Sequence, residues 1–439
     1  MRTAVVFAAA LALAGCGSIS SMNPFASKDE RLVGDRETVF STTSVMDAAG
    51  GSASVGAARS NSDWPQPGGN AQNAPGHVAF AGGGSRAWRA NVGGTGRGAL
   101  SAVRGDQRIA ARPVVAGDRV FVYSPDGSVT ALSLGNGRRI WRTSLRPERE
   151  RDAAAGGGVT FDSGTVFAAT GYGQIAALDP SSGDVRWTRD LDTPVRSAPS
   201  AGSGKVFVVS QRNEVFAVNQ ADGTEAFTYA GIPEQAGLMT VSSPALTGET
   251  VVVPYSSGEV MAFSIESGEP KWQNFVTRSS RTMSVAGLTD VSGSPVIDGG
   301  TVYATGVSGR TVAVALSDGT ERWRADVGSA HTPVVSGDAV FLVDVGNRMV
   351  ALSRADGSKL WVTQLPQPKK KRDLAYSGPV LAGGALYSIS NNGRMARVDP
   401  ASGRLIEDRT IGVKGFTSPI VASGQMIIVS DAGEITALR

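Results

Sequence analysis

The sequence predicts an all-β protein: an eight-bladed β-propeller of four-stranded antiparallel blades, closed by an N-terminal strand that completes the C-terminal blade. Three observations predict it. A turn glycine recurs at Gly84, Gly137, Gly183, Gly223, Gly268, Gly319, Gly357 and Gly403, and four residues after each stand Trp88, Trp141, Trp187, Phe227, Trp272, Trp323, Trp361 and Glu407. From Gly137 to Gly403 the glycines step by 46, 40, 45, 51, 38 and 46 residues, a spacing that matches one propeller blade per unit. The copy at Gly84 lacks its leading strands, and the copy starting at Pro419 stops after them, so the two fragments make one unit. An array of repeats closes into a ring in this way, and closure leaves no unpaired seam.

From the N-terminus, Arg2 is followed by an apolar run over residues 4–14, too short to span a bilayer, which reads as a secretory signal. It ends in Leu13-Ala14-Gly15-Cys16, which resembles the lipobox of bacterial lipoproteins. That resemblance implies cleavage after residue 15 and lipidation of Cys16. Cys16 is the only cysteine, so the chain holds no structural disulfide. No Asp follows it, and attachment to the outer membrane facing the periplasm is expected. Residues 16–60 are rich in Ser, Ala, Gly and Thr and too poor in apolar residues to form a core. They are expected to act as the lipidated cysteine and a flexible tether. The propeller is expected over 61–439, with Trp64 capping its underside.

Within each unit four strands are legible. In the copy at Pro113 they are 113–115, 119–123, 129–132 and 138–142. Proline is tolerated at a strand's first residue, where its missing N–H breaks no ladder. The same start recurs at Pro199, Pro244, Pro295, Pro333, Pro379 and Pro419, with Gly158 in the second copy. Pro125-Asp126-Gly127 is a hairpin turn with glycine where φ is positive. Each repeat Trp sits on the outer strand, where packing between blades removes a large apolar surface from water, worth about 2–3 kcal/mol. Glu407 breaks the pattern, and looser packing is expected at that rim.

Composition bounds the chemistry. Lys and Arg number 42 against 39 Asp and Glu, a net +3 that gives no basic footprint for nucleic acid. The basic run Lys369-Lys370-Lys371-Arg372 reads as a solvated loop, or as a contact for acidic headgroups. There are only two histidines, His77 and His331, and no pair has metal-ligand spacing. The run Gly93-Gly94-Thr95-Gly96-Arg97-Gly98 lacks the Lys-Ser/Thr of a phosphate loop. No catalytic, cofactor or metal residues are assigned.

The motif Ala177-Leu178-Asp179, running through Gly183 to Trp187, resembles pyrroloquinoline-quinone-type propeller repeats. Two families carry these: quinoprotein dehydrogenases and BamB, the lipoprotein of outer-membrane β-barrel assembly. The BamB resemblance covers the whole chain, from lipobox through tether to the final strand at Gly433-Glu434-Ile435. The adjacent cysteine pair of many quinoproteins is missing, which leaves a periplasmic quinoprotein-like dehydrogenase or a ligand-binding propeller as the alternative. The BamB resemblance implies a non-enzymatic scaffold that docks on the POTRA domains of BamA, among other components of the complex, and assists outer-membrane protein clients. It would be a monomer within the complex, held to the outer membrane by lipid. In that family two neighbouring loops carry the docking residues. Their counterparts here are Leu191, Val195 and Arg196 in the Leu191-Asp192-Thr193-Pro194-Val195-Arg196 loop, and Leu288, Asp290 and Val291 in Leu288-Thr289-Asp290-Val291-Ser292. In the second, Ser292 stands where the family pattern has a second Asp.

Overall fold

The computed structural model describes residues 50–82, 84–93, 109, 111–233, 242–276, 291–367 and 374–439. The signal, Cys16, most of the tether, Leu288, Asp290 and the 369–372 basic run lie outside them. The described chain falls in one compact unit, Ser44–Arg439. It forms eight four-stranded antiparallel sheets. Blades 1 to 7 occupy 114–144, 157–190, 200–230, 245–275, 296–325, 334–364 and 380–410. Blade 8 joins strands Ile420–Ala422, Gln425–Val429 and Glu434–Leu438 to an outer strand from the other end, Arg86–Asn91. Trp88 pairs with Ala437 and Asn91 with Glu434, so the composite blade expected from the two sequence fragments is the one observed.

The recurrent glycine and tryptophan meet across blades, not within one. A Cβ on Gly137 would lie 2.5 Å from the Trp88 ring, and one on Gly183 2.6 Å from Trp141. The same relation holds for Gly223 with Trp187, Gly268 with Phe227, Gly319 with Trp272, Gly357 with Trp323 and Gly403 with Trp361. All these glycines have positive φ, which closes the turn. Each indole N–H donates to the carbonyl three residues before the next blade's glycine: Leu134, Pro180, Gln220, Leu316, Arg354 and Pro400, at 2.7–3.0 Å. Opposite each rim aromatic on the neighbouring strand stands an alanine: Ala131, Ala177, Ala217, Ala262, Ala313, Ala351 and Ala437. The small residue leaves room for the ring, which explains the Ala-Leu step of the repeat.

The eighth interface is built differently. Glu407 takes the Trp position and Arg397 the alanine opposite it. Glu407 meets Arg409 at 3.3 Å and Arg397 at 3.9 Å, and Arg409 donates to Gly84 O at 3.3 Å. Arg397 lies over the Tyr387 ring, and Phe80 packs edge-on to Tyr387 at 5.7 Å. A polar network and a borrowed aromatic thus replace the indole at this rim.

The expected boundary at residue 60 is corrected. Residues 51–59 already pair with the ring: Gly51 N donates to Leu360 O, Ala53 N to Ala401 O, and Ser54 exchanges bonds with Asp338. The low apolar content of this stretch misleads, because its backbone makes most of the bonds and only Ala53 and Val55 add apolar packing. From there the chain laces the inner strands together. Asn61 donates to Val421 O in blade 8, and Trp64 exchanges two backbone bonds with Val115 in blade 1. Phe161 N of blade 2 donates to Pro65 O, and Gln66 bonds Ala201 in blade 3. Leu246 N of blade 4 donates to Ala71 O, Ile297 N of blade 5 to Gln72 O, and Val78 N to Leu381 O in blade 7. With Ser54 on blade 6, every blade is bonded to this lace. Trp64 is 1% exposed, at the head of the crossing. His77 pins the return: Gly384 N–H donates to its Nε2 at 2.8 Å, so Nδ1 carries the proton and donates to Gly56 O at 2.6 Å.

Candidate partner-docking site

Antiparallel order places the connections between blades on one face, together with each blade's second hairpin, and the lace on the other. The first sequence-predicted loop, and Val291 and Ser292 of the second, belong to the first face. The 191–199 connection joins blade 2 to blade 3, and the connection returning at Val291 enters blade 5. They converge on a single hairpin of blade 4. Arg196 reaches from blade 3 to donate to Pro254 O at 3.2 Å, and Val291 N donates to the next carbonyl, Tyr255 O, at 3.3 Å.

The side chains sit otherwise than expected. Leu191 and Val195 are buried with Phe167, Ile175 and Val208 between blades 2 and 3. Arg196 is 4% exposed, and Val291 is buried against Val252 and Trp272. The loop is drawn inward by Leu191 N to Gly173 O and Arg196 N to Val209 O. Its backbone passes so close to Gly156 and Gly173 that a Cβ on Gly173 would lie 2.6 Å from Thr193 O. These four residues therefore hold the loops in place, and their side chains do not form the surface. Solvent instead meets Asp192, at φ 55°, and Pro194.

Beside them lie two apolar residues that the sequence pattern did not single out. Ile232 is 49% and Phe275 46% exposed. Ile232 N donates to the Glu259 carboxylate, and Phe275 is the cross-strand neighbour of Glu259, so both flank the same blade 4 hairpin. The signal available was their position: each stands where an outer strand ends, on the turn face. Beneath them, burial pushes the Tyr255 hydroxyl up, the Glu259 charge adds to this, and Arg196 opposes it. The hydroxyl stays neutral. Asp192 and Pro194 lie over the hairpins of blades 2 and 3, and Ile232 and Phe275 beside that of blade 4. All four are exposed, and exposed apolar groups with a carboxylate have the composition of a protein-docking surface and its rim. Among the described residues no group of three or more His, Cys, Asp or Glu is arranged to hold a metal ion.

A closed ring of eight blades, with seven of its eight interfaces locked by a rim aromatic over a turn glycine, defines a propeller of the pyrroloquinoline-quinone-repeat class. Within it, a family model described as outer membrane protein assembly factor BamB matches residues 71–154, 125–363 and 345–439, and the chain belongs to that family. The BamB protein of Yersinia pestis is 27% identical over 342 residues, 76% of this chain and 85% of its own. That of Escherichia coli is 28% identical over 74% of this chain and 83% of its own. The crystal structure of BamB from Moraxella catarrhalis aligns with a TM-score of 0.65 at 22% identity, covering 74% of this chain and 94% of its own. The quinohemoprotein alcohol dehydrogenase of Comamonas testosteroni aligns at 0.66 with 13% identity, over 86% of this chain and 80% of its own, a likeness of fold alone.

Proposed function

We propose that the protein is a non-enzymatic scaffold for outer-membrane protein assembly, lipidated at Cys16 and held at the periplasmic side of the outer membrane. It docks on the POTRA region of a BamA-type barrel protein through the face of blades 3 and 4 that carries the connections between blades. The observation that carries the docking face is the meeting of Arg196 and Val291 on consecutive carbonyls of one hairpin, with Ile232 and Phe275 exposed beside it. In this reading Leu191, Val195, Arg196 and Val291 fix the loops. Asp192, Pro194, Ile232 and Phe275 make the contact, joined by Leu288 and Asp290 from the segment outside the described residues. Family membership supports the assembly role.

The test is co-purification from outer membranes using the full-length lipoprotein. Wild type is expected to retain a POTRA-bearing barrel protein. An Asp192→Lys/Phe275→Asp variant is expected to lose it, and Arg138→Glu, exposed on the lace face, to keep it. Absence of such a partner with wild type overturns the function. Retention by the double variant overturns the face.

A further inference from the structure

The inner strands surround a cation that has no counter-charge among the described residues. Arg112 stands just before the inner strand of blade 1 and lines a cavity with Trp64, Pro75, Thr332 and Pro419. The cavity measures about 20 Å³, room for one water-sized guest. The only bond Arg112 donates is a long one, 3.5 Å, to Pro67 O of the lace, and no carboxylate of the described residues pairs with it. A half-buried guanidinium is costly without a partner.

Two further observations point to a guest. Ser418, next in the chain to the lining Pro419, is 4% exposed, and its hydroxyl has no hydrogen-bond partner among the described residues. Across from it stands His331: a Cβ on Gly378 would lie 2.5 Å from His331 Cβ and 3.0 Å from Ser418 Oγ. His331 Nε2 bonds the Tyr376 carbonyl at 3.1 Å. A carbonyl accepts, so Nε2 carries the proton. Burial and the Arg112 charge keep that ring neutral. The cavity therefore offers one permanent positive charge and no negative charge among the described residues, with an idle hydroxyl on the residue next to its wall.

We propose that the channel binds a small monovalent anion of halide size between the Arg112 guanidinium and the Ser418 hydroxyl. Water fills such a volume, but a positive cavity without a carboxylate favours an anion over water by direct charge interaction. Gluconate is too large for the volume, which gives the contrast for a test.

The full-length protein is melted while chloride replaces gluconate at constant ionic strength. A saturable rise in Tm with chloride is expected, because a ligand that binds only the folded ring stabilises it by mass action. The rise is expected to vanish in Arg112→Gln and to need about tenfold more chloride in Ser418→Ala. Equal Tm in the two salts, or an undiminished rise in Arg112→Gln, overturns the proposal. Should Arg112→Gln fail to fold, bromide-soaked crystals of wild type decide. An anomalous peak in bonding range of both Arg112 and Ser418 supports the site, and a channel without one overturns it.

Discussion

Trp361 lies under Gly403 of the following blade, its ring 2.6 Å from where a Cβ would stand, while its indole N–H reaches Pro400 O at 3.0 Å. Glycine at this turn thus answers two demands, a φ of 71° and contact with a neighbour's ring. Gly403→Ala is expected to destabilise by roughly 2–4 kcal/mol, from backbone strain plus displaced packing. Gly117→Ala, at φ 59° with open space around it, meets only the strain and is expected to cost about 1 kcal/mol. Denaturant midpoints of the two variants check the difference.

Arg397 and Glu407 face each other where other blades pair alanine with an aromatic. Glu407→Trp alone is expected to destabilise, because Arg397 occupies the space the ring needs. The double change Arg397→Ala/Glu407→Trp is expected to recover that loss. The expected coupling is about 1–2 kcal/mol, measured in a double-mutant cycle. Additive effects would show that the two positions are independent.

Burial, followed by the charge of Arg112, lowers His331 to about 4 from an ordinary 6.5, against a smaller opposing effect of the Tyr376 carbonyl. The unfolded chain therefore binds a proton that the folded ring refuses. The stability linked to His331 is complete above pH 6.5 and is lost as pH falls toward 4. The loss is at most about 3 kcal/mol. Unfolding free energies across this range are expected to slope downward with acid in wild type and to flatten in His331→Gln.

Asn73 sends its side-chain amide to three carbonyls, Pro295 at 3.0 Å and Ser243 and Pro244 at 3.3 Å, tying the lace to blades 4 and 5. It is 2% exposed and has φ 56°. Asn73→Ala is expected to cost about 2–3 kcal/mol by stranding these acceptors and straining the backbone. A fall in thermal midpoint of several degrees would register it.

The rim repeats were legible because one spacing carried two structural needs, a left-handed turn and a large aromatic. Their length also gave the blade count and the composite blade. What spacing did not show was that Trp141 serves the next blade's Gly183, since periodicity is blind to which copy a residue touches. The lace was read as tether up to residue 60 because its bonds are made by backbone atoms of Gly51, Ala53 and Ser54, which leave no mark in composition. For the proposed docking face, the pattern pointed to loops whose apolar side chains turn inward. Leu191 and Val195 are apolar because they are buried. The exposed Ile232 and Phe275 look in sequence like ordinary strand ends.

The strand Arg86–Asn91 finds its partner at Glu434–Leu438, and the ion-paired Arg89 and Glu434 stand 345 positions apart in the chain. During synthesis Arg86–Asn91 emerges before any of the seven contiguous blades, and the strand it pairs with emerges after all of them. A chain broken off anywhere before its final strand leaves the rim strand single and the ring open. Closure thereby waits on one late strand: until Glu434–Leu438 is made, Arg86–Asn91 keeps an edge free to pair elsewhere.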